Sequence, residues 1–348
     1  MKAAMWYGVR DIQVRDVSEP TVQPGMVKIK VKWCGICGTD LHEYLAGPIF
    51  LPDEPHPLTG EKVPVILGHE FSGEVVKIGE GVTKVDVGDR VTVEPILACG
   101  RCRACQKGYY NLCEQLGFHG LSGGGGGFSE MTTVHERWVH KIPDSMTLQE
   151  GALVEPAAVA LHAVRRSQLK PGDNCIVFGA GSIGLLVIQA AKISGASNII
   201  AVEIAEQRRA LAKQMGADFT LDPMKDQVQD TVNDLLNGGA DVCFEVTGVE
   251  PALNSAIECT EVDGQVVIVS IWEKPALIRP NDLVMKEREI RGSLAYRNIF
   301  PSVIKLITDG TFKVEGLVTK EIPIHNINEA FEELANNKEQ IKIMVQPG

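Results

Sequence analysis

The sequence predicts an α/β protein of two domains, one rich in β-strands and the other a doubly wound parallel sheet. Three observations predict it. The chain has 348 residues, more than an average single core encloses and enough for two. Its first 150 or so residues are broken by Gly and Pro into short β-branched runs. From about residue 173, apolar runs alternate with amphipathic helical stretches. Hydrophobic residues at 44% and charged residues at 23% exclude a disordered or fibrous chain.

In chain order, VKIKVKW, EFSGEVVKIG and DRVTVEP read as short antiparallel strands of a compact β-rich domain. No stretch among them is long and periodic enough to predict a helix. The five successive glycines of LSGGGGGFSE, residues 123–127, are expected to form a flexible loop, with close backbone approach to a substrate or metal as the second reading. NCIVFGAG then leads into SIGLLVIQAAKI and NIIAVE into EQRRALAKQMG, followed by DVCFEVT and GQVVIVS. Apolar strands alternating with helices describe a parallel sheet covered on both faces, the architecture of a nucleotide-binding domain. After Gly292, the helical patterns SVIKLITDG and INEAFEELANN and the closing strand IKIMVQ read as the chain crossing back to complete the first domain. The expected boundaries are 1–153 with 292–348 for the β-rich domain and 154–291 for the doubly wound one.

A net charge of −11 repels a phosphate backbone, and no Lys/Arg cluster offsets it, so no nucleic acid partner is expected. MKAAMWYGVRDIQVRDV has scattered charges instead of the apolar core of a signal peptide, and no apolar run reaches the length of a membrane span. The expectation is a cytoplasmic protein without a membrane partner. Nine cysteines, an odd count with four crowded into residues 99–113, suggest metal ligation more than disulfides.

That crowd is Cys99, Cys102, Cys105 and Cys113, spaced C-x2-C-x2-C-x7-C. Two-residue gaps let successive thiolates turn toward one tetrahedral ion, and four sulfurs close the shell of a structural zinc. An iron–sulfur cluster and paired disulfides are the alternatives.

A second constellation has a different character. Cys37 lies among glycines in WCGICGTDLHEY, His69 and Glu70 follow in GHE, and Glu155 stands in ALVEPAAVA. One thiolate, one imidazole and one or two carboxylates make a shell with an exchangeable position, which a catalytic zinc requires. Each residue alone has a plainer reading: Cys34 and Cys37 as a redox CxxC, His69 as an interior histidine, Glu155 as a helix N-terminal charge. His69 and Glu70, as neighbours, would face opposite sides of a regular strand. We expect Glu155 in one state of the shell and Glu70 in another, exchanging during turnover. Thr39 and His42 follow Cys37 by two and five positions, where a hydroxyl and an imidazole can carry an alcohol proton outward. A turn threonine and a surface histidine are the plainer reading of that pair. Asp40 can orient a zinc ligand from behind.

VFGAGSIG supplies Gly179, Gly181 and Gly184 as G-x-G-x-x-G between an apolar strand and a helix, with Ser182 and Ile183 as further cofactor-contact candidates. The first glycine permits the tight turn, the second admits a pyrophosphate, and the third brings helix and strand together. Glu203 ends the next strand nineteen positions after Gly184, where a carboxylate accepts from ribose hydroxyls and repels a 2′-phosphate. NAD is therefore expected over NADP. Arg208 is a candidate for the adenosine ribose or phosphate, or a solvated helix arginine.

GHEFSGEV, the four-cysteine run, VEPAAVALHAV and VFGAGSIG together resemble the medium-chain zinc-dependent alcohol dehydrogenase family, in order and over essentially the whole chain. Glu70 and Glu155 look like the polyol and threonine dehydrogenase branch. WCGICGTDLHEYLAGPIFLP, HPLTGEKVPVILGHEFSGEV and VIVSIWEK are similar to (R,R)-2,3-butanediol dehydrogenases within it. The resemblance implies a GroES-like catalytic domain with a zinc lobe at about 95–115, and a Rossmann domain binding NAD. It also implies two zinc ions per chain, one catalytic and one structural, and a homodimer or homotetramer. The implied reaction interconverts a secondary alcohol and a ketone. The expected substrate is a small diol or hydroxyketone, 2,3-butanediol or acetoin, with sorbitol, xylitol or L-threonine as alternatives. A non-catalytic dinucleotide-binding protein is the remote reading.

Overall fold

The computed structural model describes residues 1–337 and 339–348. The chain divides into two compact units, one of Met1–Glu155, Phe300–Asp309 and Val314–Gly348, the other of Pro156–Ile299 and Gly310–Lys313.

In the first unit the strand Met26–Gly35 carries the main sheet. Val27, Ile29 and Val31 alternate inward with the half-buried Lys28 and Lys30, the period of a strand with one face on a core. It pairs antiparallel with Glu70–Ile78, with Met131–His135 and, at its C-terminal end, with Lys342–Gln346. Across the sheet the order is Val139–Lys141, Arg90–Val93, Glu70–Ile78, Met26–Gly35, Lys342–Gln346 and Val318–Pro323. The register sets Gly35 opposite both Glu70 and Met344. Residues far apart in sequence thereby share one end of the sheet.

Two features depart from the sequence reading. A nine-residue helix, Gly38–Ala46, stands in the half where none was expected. It is too short to show periodicity and rests on a cap at its own N-terminus together with contacts outside its turns. The Cys37 amide donates to Asp40 Oδ2 at 3.0 Å, and Tyr44 packs on Phe331 with ring centroids 5.1 Å apart. The buried Glu43 accepts the amides of Ile49 and Leu51. The glycine run is likewise no loose loop. Gly127 donates to the Gly68 carbonyl at 2.7 Å, and a Cβ there would lie 2.6 Å from Cys34 Sγ. Glycine is required at this position so that the run can lie against residues 67–68, beside His69.

The second unit is a six-stranded sheet in which every pair is parallel. Its order is Phe219–Leu221, Ile199–Val202, Cys175–Phe178, Ala240–Glu245, Thr260–Ile268 and Glu289–Gly292. Counted within the unit this is 3-2-1-4-5-6, the doubly wound order of a dinucleotide-binding domain. Cys175–Phe178 and Ile199–Val202 are buried at every residue, as strands covered on both faces must be. The order reverses beside Cys175–Phe178, so the turn that follows it, into the helix Ser182–Ile193, lies where such sheets open a crevice. Among the described residues no helix is long and apolar enough to cross a membrane.

Candidate active site

Cys37 caps the helix Gly38–Ala46, His69 immediately precedes the strand Glu70–Ile78, and Glu70 begins it. Their ligand atoms lie within 4.8 Å of one another. The objection that neighbours face opposite sides of a strand fails because His69 is not yet in the strand. Gly68, at φ +92°, turns the chain so that both side chains reach one point, and a Cβ at Gly68 would lie 2.8 Å from Cys34 Sγ. His69 and Glu70 are buried.

Asp40 organises this point from behind. Its Oδ2 accepts the Cys37 amide and its Oδ1 faces His69 Nδ1 at 3.3 Å, which leaves His69 Nε2 for a ligand. Burial pushes the Cys37 thiol up, and the Glu70 charge adds to the effect. A half-buried thiol converging with a buried imidazole and a buried carboxylate calls for a cation among them, and this mixed S, N and O set suits zinc.

Glu155, second residue of the helix Val154–Arg166, is 5% exposed. Among the described residues the 4.8 Å cluster comprises Cys37, His69 and Glu70, with Glu155 outside that limit. Thr39 Oγ1 lies 3.8 Å from Cys37 Sγ. His42 is half-buried one turn along the same helix, and residues three apart share a helix face.

Sequence reasoning missed Lys342. This lysine is 1% exposed and donates to Glu70 Oε1 at 2.8 Å, Glu70 Oε2 at 2.7 Å and the Ile36 carbonyl at 3.0 Å. A lysine inside the apolar run IKIMVQ is the signal that could have found it.

The sulfurs of Cys99, Cys102, Cys105 and Cys113 lie within 4.8 Å of one another. Cys102 and Cys113 are 4.0 Å apart, S to S, about twice a disulfide bond. Backbone amides already point at the sulfurs: Cys102 N to Cys99 at 3.3 Å, Cys105 N to Cys102 at 3.5 Å, and Cys99 N and Gln115 N to Cys113 at 3.3 Å. Hydrogen bonds from Glu114 and Cys105 bring Cys102 down to about 6, so this thiolate forms readily near neutral pH. The Tyr110 hydroxyl donates to Glu94 at 2.6 Å and ties the lobe to the end of the strand Arg90–Val93.

In the second unit the three glycines have different surroundings. Gly179 has φ +96°, and a Cβ there would lie 2.7 Å from Thr247 Cγ2. A Cβ on Gly184 would collide with the Gly179 carbonyl, whereas one on Gly181 would meet nothing nearer than the Arg208 guanidinium at 3.9 Å. Gly181 caps the helix without a side-chain hydrogen bond, and Ser182 and Ile183 stay half-buried in its first turn. Free first-turn amides at the positive end of the helix dipole suit a pyrophosphate. Glu203 directly follows its strand. It accepts from Ala180 N at 2.8 Å and Ala205 N at 2.9 Å, so it braces the glycine turn. Arg209, absent from the sequence reading, donates to the carbonyls of Glu203 and Ile204 at 2.7 Å and pairs with Asp222 at 3.2 Å.

Residues 23–144 match the alcohol dehydrogenase GroES-like domain and residues 182–309 the zinc-binding dehydrogenase domain. The chain is 55% identical to the (R,R)-butanediol dehydrogenase of Bacillus subtilis (strain 168), over 100% of both chains. It is 44% identical to the (R,R)-butanediol dehydrogenase of Neisseria gonorrhoeae, over 100% of this chain and 99% of that one. The crystal structure of 2R,3R-butanediol dehydrogenase from Bacillus subtilis superposes with a TM-score of 0.94 at 54% identity, covering 100% and 99% of the two chains.

Proposed function

This chain belongs to the zinc-binding alcohol dehydrogenase family, and from that premise we propose that it interconverts (R,R)-2,3-butanediol and acetoin with NAD at the Cys37 cluster. It is an oxidoreductase of alcohols and ketones. The observation that carries the site assignment is the convergence of the half-buried Cys37 with the buried His69 and Glu70 within 4.8 Å. In this reading Cys37 and His69 hold a catalytic zinc with Glu155 or Glu70 as the carboxylate. Cys99, Cys102, Cys105 and Cys113 hold a structural one, giving two per chain.

Zinc held there would supply the positive charge that polarises the alcohol oxygen, and bound NAD would supply the hydride acceptor. The chain's own residues do the rest. Asp40 keeps His69 Nε2 turned toward the cluster. The Thr39 hydroxyl, beside Cys37, takes the alcohol proton and passes it toward His42, which releases it to solvent. The first-turn amides of Ser182 and Ile183, past the open Gly181, hold the pyrophosphate. Glu203 accepts from the adenosine ribose and disfavours a 2′-phosphate, with Arg208 beside the same glycine. The alcohol loses one hydride and one proton, and a ketone results.

The experiment is NAD reduction against the butanediol stereoisomers, sorbitol, xylitol and L-threonine. We expect kcat/KM for (R,R)-butanediol to exceed the others by at least about tenfold, the scale of one well-placed hydroxyl contact. Faster turnover of sorbitol or threonine would reject the substrate assignment.

A further inference from the structure

Lys342 takes no part in the reaction just described, yet the structure gives it a dedicated place. It opens the strand Lys342–Gln346 at 1% exposure, and all three ammonium hydrogens are used, two on Glu70 and one on the Ile36 carbonyl. Gly35 makes the room: a Cβ there would collide with Glu70 Oε2 and lie 3.3 Å from Lys342 Cδ. Stability alone is a poor reason for such a pair, since apolar residues of similar volume often serve a buried position at least as well.

The geometry of the pair gives another reason. Nζ lies 2.8 Å from one Glu70 oxygen and 2.7 Å from the other, so one ammonium engages both oxygens, and the lone pairs best placed for a metal are turned toward it. The Glu70 carboxylate nevertheless borders Cys37 and His69 within 4.8 Å. Glu155 is a second buried carboxylate whose charge reaches Lys342. We propose that Lys342 is a positioning residue that selects the zinc carboxylate: by holding both oxygens of Glu70 it keeps that residue in reserve and leaves the resting ligand position to Glu155. Glu70 joins the shell only by giving up Lys342. This rests on the reading of Cys37 and His69 as zinc ligands.

The test places cobalt in the open site, keeps zinc in the four-cysteine lobe, and records the visible spectrum and the rate of cobalt loss to a chelator. Glu70→Gln is expected to keep the parent's resting spectrum, because Glu70 is not the resting ligand. Lys342→Met frees Glu70 to ligate, so its spectrum shifts and its cobalt leaves roughly tenfold more slowly. Lys342→Arg, able to hold both oxygens, stays near the parent, and Lys342→Met with Glu70→Gln returns to it. A shifted spectrum in Glu70→Gln alone overturns the proposal, as does a Lys342→Met protein with parental spectrum and release. If Lys342→Met fails to fold, Glu70→Gln and Lys342→Arg decide. A parent that takes up no cobalt dependent on Cys37 rejects the zinc reading itself, an outcome distinct from these.

Discussion

The four-cysteine lobe draws every sulfur from residues 99–113, whereas the other cluster joins a helix cap at Cys37, a turn at His69, a strand start at Glu70 and a lysine from position 342. The first is mostly half-buried and offers four like donors; the second buries His69 and Glu70 beside a half-buried Cys37 and offers unlike ones. A locally built cluster needs only its own loop and suits a metal that holds that loop together. A cluster built from distant segments exists only once the sheet is complete, and burial gives its donors the chemical leverage the lobe lacks. The two should therefore fail differently when a ligand is lost.

Cys37→Ser is expected to cost the most, lowering kcat/KM by roughly 10³-fold, about 4 kcal/mol of transition-state stabilisation, while the thermal midpoint moves little. Cys102→Ser should do the reverse, lowering the midpoint by several degrees with turnover per folded molecule nearly kept. Steady-state kinetics beside thermal unfolding checks both. Parental melting with lost turnover in Cys102→Ser would break the contrast.

Two buried histidines sharpen it. His69 faces Asp40 within the cluster, whereas His119 meets Thr132 Oγ1 at 2.7 Å, and burial brings it down to about 4. A folded value below the unfolded value of about 6.5 means that the unfolded chain binds the proton first. Stability from this group is then complete above pH 6.5 and is lost as pH falls toward 4, by up to about 3 kcal/mol. In chemical denaturation across that range, His119→Asn should give a shallower acid limb by about one proton. A parental slope would show that His119 is not buried neutral.

Glu203→Ser should weaken NAD binding by roughly ten- to a hundredfold, since hydrogen bonds to a charged partner are worth about 1.5–3 kcal/mol. The loss has two sources, the ribose and the Ala180 amide, so the decisive quantity is the NAD:NADP ratio of kcat/KM. If that ratio does not fall, the ribose contact is made elsewhere. The smallest effect is expected from His42→Ala, a few-fold fall in turnover near neutral pH that shrinks at high pH, where hydroxide accepts the proton directly. An unchanged pH–rate profile places His42 outside the relay.

What the sequence made legible follows the same division between local and distant construction. The spacings of Cys99 to Cys113 and of Gly179 to Gly184 are local, so their geometry could be reasoned from single turns. Strands in both units were visible as alternating or continuous apolar runs, and the parallel character of the second unit's sheet followed from the strand–helix rhythm. The helix Gly38–Ala46 was not visible, because it is too short to show a period and packs Tyr44 on Phe331, far away in sequence. The packed glycines 123–127 were read as loose because the backbone they lie against, at Leu67 and Gly68, is far away in sequence. Lys342 depends on a register between the last strand and Met26–Gly35, and one sequence does not state a register.

The contrast between an open, buried cluster and a closed lobe is tested most directly by counting zinc in the purified parent, Cys37→Ser and Cys102→Ser proteins. The account predicts about two ions per chain in the parent. In Cys37→Ser it predicts one, retained in a folded protein whose kcat/KM is lowered roughly 10³-fold. In Cys102→Ser it predicts loss of the lobe's ion together with a lowered thermal midpoint. A parent holding a single zinc that survives Cys37→Ser would contradict it.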